Sequence, residues 1–496
     1  MAAARPNILL IMSDQQRWDS LGCYGCRAIG TPALDGLADD GVLFERCYVN
    51  ATICTPSRAC MLTGKPLPGH GVYRLHDTLP DDQVLLPAHL AGLGYQTALV
   101  GKLHVSGRMV EAERRHPNDG FERYEWCIDP QIHLDSPFNG YAAWLRAHHP
   151  EFLQRLESGP QDHHPAEAHF STWAAERAIA FLGERDPTRP FFLNVSLFDP
   201  HSPYFDYPPE AGELVDRAAI DPVRPLTAAH EPVPGGVARE REGFRRRYGR
   251  DSGGRDLDDV RHGYYASVAF LDQQVGRILA ELERRGLADN TLVLFVSDHG
   301  DMIGDYELIT KGGYFYDPCT RVPMILRLPG RERAGTRVAD LVQPHDLAAT
   351  LLNAAGMAPP DVADLMPESQ DLAALARGNI GAAAGTARDH AFTMYRNSGY
   401  GNRGYWDPPI YGTMFHDGRY KLSLFHDPEA RREPEGELYD MAADPTETTN
   451  LWNDRGHATR RDSLTARLHA TLVASEMRHV AGRGGTTWPA GRSPAG

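Results

Sequence analysis

TLVLFVSDHGD, residues 291–301, packs five consecutive apolar residues, Leu292 to Val296, ahead of Ser297 and a polar cluster. An unbroken apolar run of this length, without polar alternation, is the pattern of a strand buried on both faces of a parallel sheet. Asn7 to Met12 repeats it and ends in Ser13-Asp14-Gln15-Gln16. Gln96 to Val100, ahead of Gly101-Lys102-Leu103-His104, and Phe191 to Leu197, ahead of Asp199-Pro200-His201-Ser202-Pro203, follow the same plan. Between them lie helical patterns at about Val84 to Leu93, Ala166 to Leu182 and Asp346 to Ala355, and a long amphipathic one over Leu257 to Leu282. Such alternation specifies an α/β fold, and in open α/β sheets ligands gather beyond the carboxyl ends of the strands. Asp14, Gln15, Asp298 and His299 therefore stand where chemistry belongs.

The chain has 496 residues, a formal net charge of −15 and 42% apolar residues. That balance suits a globular enzyme and argues against a nucleic-acid binder. The N-terminus MAAARPNILLIMSDQ has only a short apolar run, so neither a secretory signal nor a membrane span is expected, and a cytoplasmic location follows. Seven cysteines, odd in number and irregularly spaced, do not form a disulfide framework; Cys23 and Cys26 read as parts of a Gly-rich loop rather than a metal or redox pair.

A second stretch carries nucleophilic potential: ICTPSRACMLTGK, residues 53–65. Thr55 can cap a helix, Pro56 suits its first position, and Ser57 to Leu62 can continue it to a stop at Gly64. Cys54 then sits at a helix N-terminus that favours an anion, and Arg58 adds a planar donor fork. At period two, Lys102 and His104 project to one side of an extended segment. His201, held between two prolines, is a general-acid candidate. Residues 109–165 lack clean periodicity and read as loops and short helices. Arg239 to Arg255, with seven arginines in seventeen residues, reads as an exposed insertion rather than an anionic-polymer contact. Pro359 to Thr386, rich in Ala, Gly and Pro, reads as a linker. Beyond it come a strand at Ala391 to Tyr395, a hairpin around His416 to Arg419, and a helix over Ala458 to Val473.

Taken together these motifs resemble the sulfatase family. Cys54-Thr-Pro-Ser-Arg58 followed by Leu62-Thr-Gly64 is similar to its signature; Lys102-x-His104, Pro200-His201-Ser-Pro203, and Asp298-His299-Gly300-Asp301 with Lys311 and Arg321-Val-Pro323 follow in family order. Glu437 to Asp440 and Asp444 to Leu451 resemble the tail of its C-terminal subdomains.

The resemblance implies an α/β fold of alkaline-phosphatase-like type. Its large, mixed, mostly parallel sheet is flanked by helices, with a catalytic domain over 1–375 and a smaller C-terminal α+β subdomain over 385–485. It implies hydrolysis of an aryl, small-molecule or saccharide sulfate ester by a formylglycine made from Cys54 by a formylglycine-generating enzyme. Cys54, Arg58, Lys102, His104, His201 and Lys311 would be catalytic. Asp14, Gln15, Cys54, Asp298 and His299 would hold one divalent metal, calcium in first place and manganese or magnesium next. No nucleic-acid or membrane partner is expected, and the oligomeric state stays open. The Asp14-Gln15 start and His299 also suit a phosphonate monoesterase or phosphodiesterase of the same superfamily, whereas Lys102-x-His104 favours sulfate. An unmodified Cys54 would leave a metal-binding protein without catalysis. Tyr73 to His76 stand where relatives often carry an Asn, so leaving-group contacts are expected to differ.

Overall fold

A computed structural model describes residues 5–248, 256–328, 330, 334–377, 387–398, 405–427, 429, 431 and 433–482. Thirteen strands occur among them: β1 (Asn7–Ser13), β2 (Val42–Tyr48), β3 (Gln96–Gly101), β4 (Arg123–Trp126), β5 (Phe191–Ser196), β6 (Thr291–Ser297), β7 (Arg321–Val322), β8 (Met324–Arg327), β9 (Thr336–Val342), β10 (Ala391–Arg396), β11 (Tyr411–His416), β12 (Tyr420–Phe425) and β13 (Glu435–Asp440). The first nine form one sheet in the order β4-β3-β5-β1-β6-β8-β2-β7, with β9 also paired to β2. Pairing is parallel from β4 to β6 and again at β2–β9, and antiparallel where β8 and β7 join. The expected mixed, mostly parallel α/β sheet is therefore present.

The uninterrupted apolar runs are explained by burial on both faces. Leu9, Ile11, Val293 and Phe295 point into a core covered by the helices Phe170–Glu184 and Leu257–Arg284. Their neighbours Ile8, Leu10, Met12, Leu292, Leu294 and Val296 point the other way, toward the helices Cys54–Thr63, Leu86–Gly92 and Asp346–Ala354. Register does the rest. Ser13 pairs with Ser297, Met12 with Ser196, and Gly101 with Ser196. Asp14, Asp298 and Lys102 thus leave neighbouring strands at one level, with strands about 4.8 Å apart. Gly101 has φ 107°, and a Cβ there would lie 2.0 Å from the Ser196 carbonyl oxygen, so only glycine lets β3 turn out at this point.

Some elements depart from the sequence expectation. Residues 109–165 contain strand β4 and the helices Arg108–Glu113, Gly140–His148 and Pro150–Ser158. β4 is too short and too polar to announce itself, and is held by pairing with β3. The segment read as a linker starts with two short helices, Pro359–Leu365 and Leu372–Ala376, whose Val362, Leu372, Ala373 and Leu375 are buried against Asp346–Ala354. Residues 378–386 lie outside the described residues. The arginine-rich stretch begins as a helix, Gly235–Tyr248, and its Arg241 is buried, donating to the Tyr306 carbonyl and the Tyr316 hydroxyl; residues 249–255 are outside the described set.

β10 to β13 form a separate four-stranded antiparallel sheet covered by the helix Ala458–Gly482. Leu464 and Leu468 of that helix share a cluster with Phe415, Leu422 and Leu438, and with Ala51, Cys60 and Leu67 of the signature region. A buried ion triad ties this sheet to the main body. Lys421 Nζ lies 2.6 Å from Asp317 and 2.6 Å from Glu447, and Glu447 also accepts the Asp317 backbone N–H at 2.6 Å. Removing one partner of a buried ion pair leaves uncompensated charge in a low dielectric. Lys421→Met is expected to lower unfolding free energy by about 3–5 kcal/mol, read from urea unfolding; an unchanged midpoint would show that the triad does not anchor the sheet.

Candidate active site

The signature helix runs Cys54–Thr63, so it starts two residues earlier than a Thr55 cap would place it. Ile53 is extended and occupies the cap position without a side-chain bond; the Ser57 N–H reaches back to the Ile53 carbonyl at 3.1 Å. Gly64, with φ 66°, closes the helix as expected. The Thr55 hydroxyl, free of capping duty, donates to the Leu75 carbonyl at 2.8 Å. That commits its only proton, so His104 Nε2, 2.9 Å away, donates to the Thr55 oxygen and leaves a lone pair on Nδ1.

Cys54 Sγ is buried at a meeting of charges. It lies 3.0 Å from Lys311 Nζ, 3.1 Å from His299 Nε2 and 3.8 Å from Asp14 Oδ1. Ligand atoms of Asp14, Cys54, Asp298 and His299 all fall within 4.8 Å of one another. Each carboxylate is divided between two duties. Asp14 Oδ2 accepts from Lys102 Nζ at 2.5 Å and Arg58 Nη2 at 3.2 Å, while Oδ1 faces His299 Nε2 at 3.8 Å. Asp298 Oδ2 accepts from Arg58 Nε at 2.6 Å, while Oδ1 lies 3.6 Å from the same His299 nitrogen.

The His299 Nδ1–H donates to the Gly300 carbonyl at 3.0 Å, which fixes the tautomer with the Nε2 lone pair turned toward the two carboxylates. Two hard oxygens and one oriented imidazole nitrogen, converging at one point, fit a divalent cation.

Gln15, at φ 67°, sits beside this cluster with its carboxamide engaged elsewhere. Its oxygen accepts from Lys311 Nζ at 2.7 Å, and its nitrogen donates to Asp301 at 2.6 Å and to Tyr204 at 3.2 Å. Lys311 in turn lies 2.8 Å from His201 Nε2, whose Nδ1–H is held by the Ser202 carbonyl at 2.7 Å. The motifs separated by hundreds of residues thus close into one buried ring.

The period-two picture of Lys102 and His104 needs correction. His104 has φ 56°, so the chain is left-handed there rather than extended. Glu111, which sequence reasoning missed, imposes the turn by accepting the backbone N–H groups of His104, Val105 and Ser106 at 2.8, 2.7 and 3.0 Å, together with Trp126 Nε1 at 2.9 Å. Both side chains still face the ring: Lys102 holds Asp14, and His104 holds Thr55. Asp301 and Tyr204 were missed as well; Asp301 was legible only as the tail of the Asp298 motif. Asp199, whose carbonyl accepts the Asp14 N–H at 3.1 Å and whose carboxylate accepts from Ser171, braces the same loop from behind.

Burial alone would raise the Asp14 carboxyl, but Lys102, His201 and Arg58 hold it well below its usual range. Burial would likewise lower Lys102, and Asp14 keeps it raised. For the Cys54 thiol, burial and Asp14 push upward, and Lys102 and Lys311 outweigh them to bring it below its ordinary value. Burial, followed by Lys102, depresses His104 well below 6.5, and burial brings His299 down to about 4. Both imidazoles are therefore neutral near pH 7, the form in which His299 can ligate a metal.

The Sulfatase family model matches residues 6–357, and the model described as N-sulphoglucosamine sulphohydrolase, C-terminal, matches residues 304–474. An arylsulfatase from Clostridium perfringens is 28% identical over 514 residues, covering 96% of each chain. The human iduronate 2-sulfatase is 31% identical over 398 residues, 75% of this chain and 68% of that one. The crystal structure of the phosphonate monoester hydrolase of Agrobacterium radiobacter superposes with a TM-score of 0.74 at 26% identity, covering 96% of both chains.

Because a proton competes for His299 Nε2 only as pH nears 4, divalent-cation affinity is expected to hold level from about pH 8 to about pH 5 and to fall as pH approaches 4. Asp14→Asn should weaken it by more than the roughly 10–100-fold typical of losing an outer-shell partner. Isothermal titration calorimetry of the full chain checks both; affinity already falling through pH 7, or unchanged in the variant, contradicts the assignment.

Proposed function

The chain belongs to the sulfatase family of the alkaline-phosphatase-like superfamily, and from that premise we infer that it hydrolyses sulfate monoesters at Cys54, after conversion of that residue to formylglycine. The observation that carries this reading is the position of Cys54 Sγ, 3.0 Å from Lys311 and 3.1 Å from His299, at the N-terminus of the helix that also carries Arg58. A formylglycine at this position would, once hydrated, offer an oxygen nucleophile for sulfur. Asp14, Asp298 and His299, with Gln15 alongside, would hold a divalent cation, calcium in first place, which would supply positive charge beside the reacting oxyanion.

The remaining work falls to the chain's own residues. Arg58 and Lys102 carry fixed positive charge into a dry site, where charge developing on a transferring sulfuryl group is stabilised far more than in water. Lys311 Nζ and His201 Nε2, 2.8 Å apart, share one proton, and this pair is the source of the proton that the departing alkoxide or phenoxide needs. His201 is held in place for this by its bond to Ser202. His104, neutral and oriented by Thr55, is the base candidate for the second hydroxyl of the hydrate. The substrates that suit this ring are aryl, small-molecule or saccharide sulfate esters. A second reading, phosphonate or phosphodiester cleavage, is favoured by His299 in the metal cluster and by the likeness to the phosphonate monoester hydrolase.

In enzyme co-produced with a formylglycine-generating enzyme, the mass of the peptide spanning Cys54 is expected to match the aldehyde. Turnover of an aryl sulfate should exceed that of phosphonate and phosphodiester analogues, and the reverse order would install the second reading. His201→Ala is expected to lower kcat by roughly 10²–10⁴-fold. Wild-type turnover in that variant would remove His201 from the proton path.

A further inference from the structure

A cavity of about 840 Å³ opens between the loop that follows the signature helix, strands β10 and β11, and the C-terminal helix. Its lining includes Tyr73, Arg74, Asp77, Arg396, Tyr411 and Glu476. It is fastened to the signature segment on two sides. Ala51 bridges to Met394, another lining residue, and the Thr55 hydroxyl holds the carbonyl of Leu75, next to Arg74.

Arg396 is the unusual member. Its guanidinium is largely buried, and its bonds go to neutral groups: Nη1 donates to the carbonyls of Tyr395 at 3.0 Å and Gly412 at 2.5 Å, and Nη2 donates to the Thr413 hydroxyl at 3.1 Å. Among the described residues no carboxylate lies within ion-pair distance of it, in contrast to Arg388, which is partly buried like it, and to the more deeply buried Arg17 and Arg58, all of which are paired.

The two acidic groups on the cavity wall do not compensate it. Asp77 is occupied by Arg74 at 2.9 Å and by the backbone N–H groups of Tyr73 and Arg74 at 3.0 and 2.9 Å. Glu476 is exposed on the rim helix. The phenols of Tyr73 and Tyr411 line the same space, and Tyr411 sits directly opposite Arg396 in the β10–β11 register.

A buried cation without a counter-charge, facing an open cavity, is costly unless an anion completes it. A guanidinium fork flanked by phenols matches the oxygens of a sulfate or carboxylate. We propose that this cavity binds an oxyanion through Arg396, separately from the Cys54 ring. Two sources share that chemistry: a second anionic group on the substrate, or free inorganic sulfate released by turnover. The first source rests on the sulfatase reading, and the second needs only the cavity.

The test is calorimetric binding to the full chain at low ionic strength, comparing wild type with Arg396→Met, Arg396→Lys and Glu476→Gln. The probes are sodium sulfate, a monosulfated hexosamine, its disulfated counterpart and a uronate-containing monosulfated disaccharide. If the occupant is a second substrate group, Arg396→Met weakens the disulfated or uronate probe at least tenfold more than the monosulfated hexosamine, and Arg396→Lys recovers part of the loss. If it is free sulfate, Arg396→Met removes a sulfate-binding event that wild type shows. In either case Glu476→Gln, by relieving repulsion at the rim, tightens binding severalfold.

Equal affinities in wild type and Arg396→Met for every probe overturn the proposal, as does wild type binding none of them. If Arg396→Met does not fold, as judged by its melting curve, unchanged affinity in both Arg396→Lys and Glu476→Gln overturns it equally. Turnover of no sulfate ester by wild type, with Arg396-dependent binding intact, would instead count against the sulfatase reading.

Discussion

The site hangs on one guanidinium. Arg58 is fully buried, and its planar fork reaches the ends of four neighbouring strands at once: Asp298 beyond β6 at 2.6 Å, Asp14 beyond β1 at 3.2 Å, the Lys102 carbonyl beyond β3 at 3.0 Å, and Ser196, the last residue of β5, at 2.7 Å. No other side chain offers five donors in a fixed plane. Because Arg58 lies one turn along the helix from Cys54, this bonding also indexes the cysteine against the sheet. Breaking it would take the guanidinium from Asp298 and leave Asp14 to its lysines in a dry interior, a larger penalty than any single packing contact.

Around that guanidinium the charges are arranged in excess of one sign. Asp14 and Asp298 are met by Arg58, Lys102 and Lys311, and Gln15 occupies with a neutral amide the place where a further carboxylate would shift the balance. The mutual fields keep the carboxylates ionised and burial keeps the histidines neutral, which are the states needed to hold a divalent cation and to receive an anionic ester. Preorganised charge of this kind costs nothing to reorganise when the reaction occurs. The sheet makes it feasible, since strands bonded along their length hold their ends more rigidly than loops could.

The C-terminal sheet is not a passive appendage. Its core includes Cys60 and Leu67, the Lys421 triad binds it to Asp317, and the Ala51–Met394 bridge binds it to the segment leading into the signature helix. One face of the signature helix looks into the catalytic ring and the other is packed by the second sheet. The cavity containing Arg396 opens at that junction.

Composition and pattern alone determined the buried strands β1, β3, β5 and β6, the long helix beginning at Leu257, and the residue types at each strand end, because apolar runs and motif spacing are local properties of the chain. They also determined that Cys54 stands at a helix N-terminus and that Gly64 ends that helix. Only the tertiary structure decided that β4 exists, that His104 turns left-handed on the Glu111 carboxylate, that Gln15 spends its amide on Lys311 and Asp301, and that Arg396 has no counter-ion among the described residues. Each of these depends on register or on side-chain partners, from the nearby Glu111 to residues hundreds of positions away, that no local pattern announces. Asp14 and Asp298 illustrate the division: each is readable as a residue following a strand, but their convergence on one histidine nitrogen requires β1 and β6 to pair in parallel with their last residues level, a relation that no stretch of sequence contains.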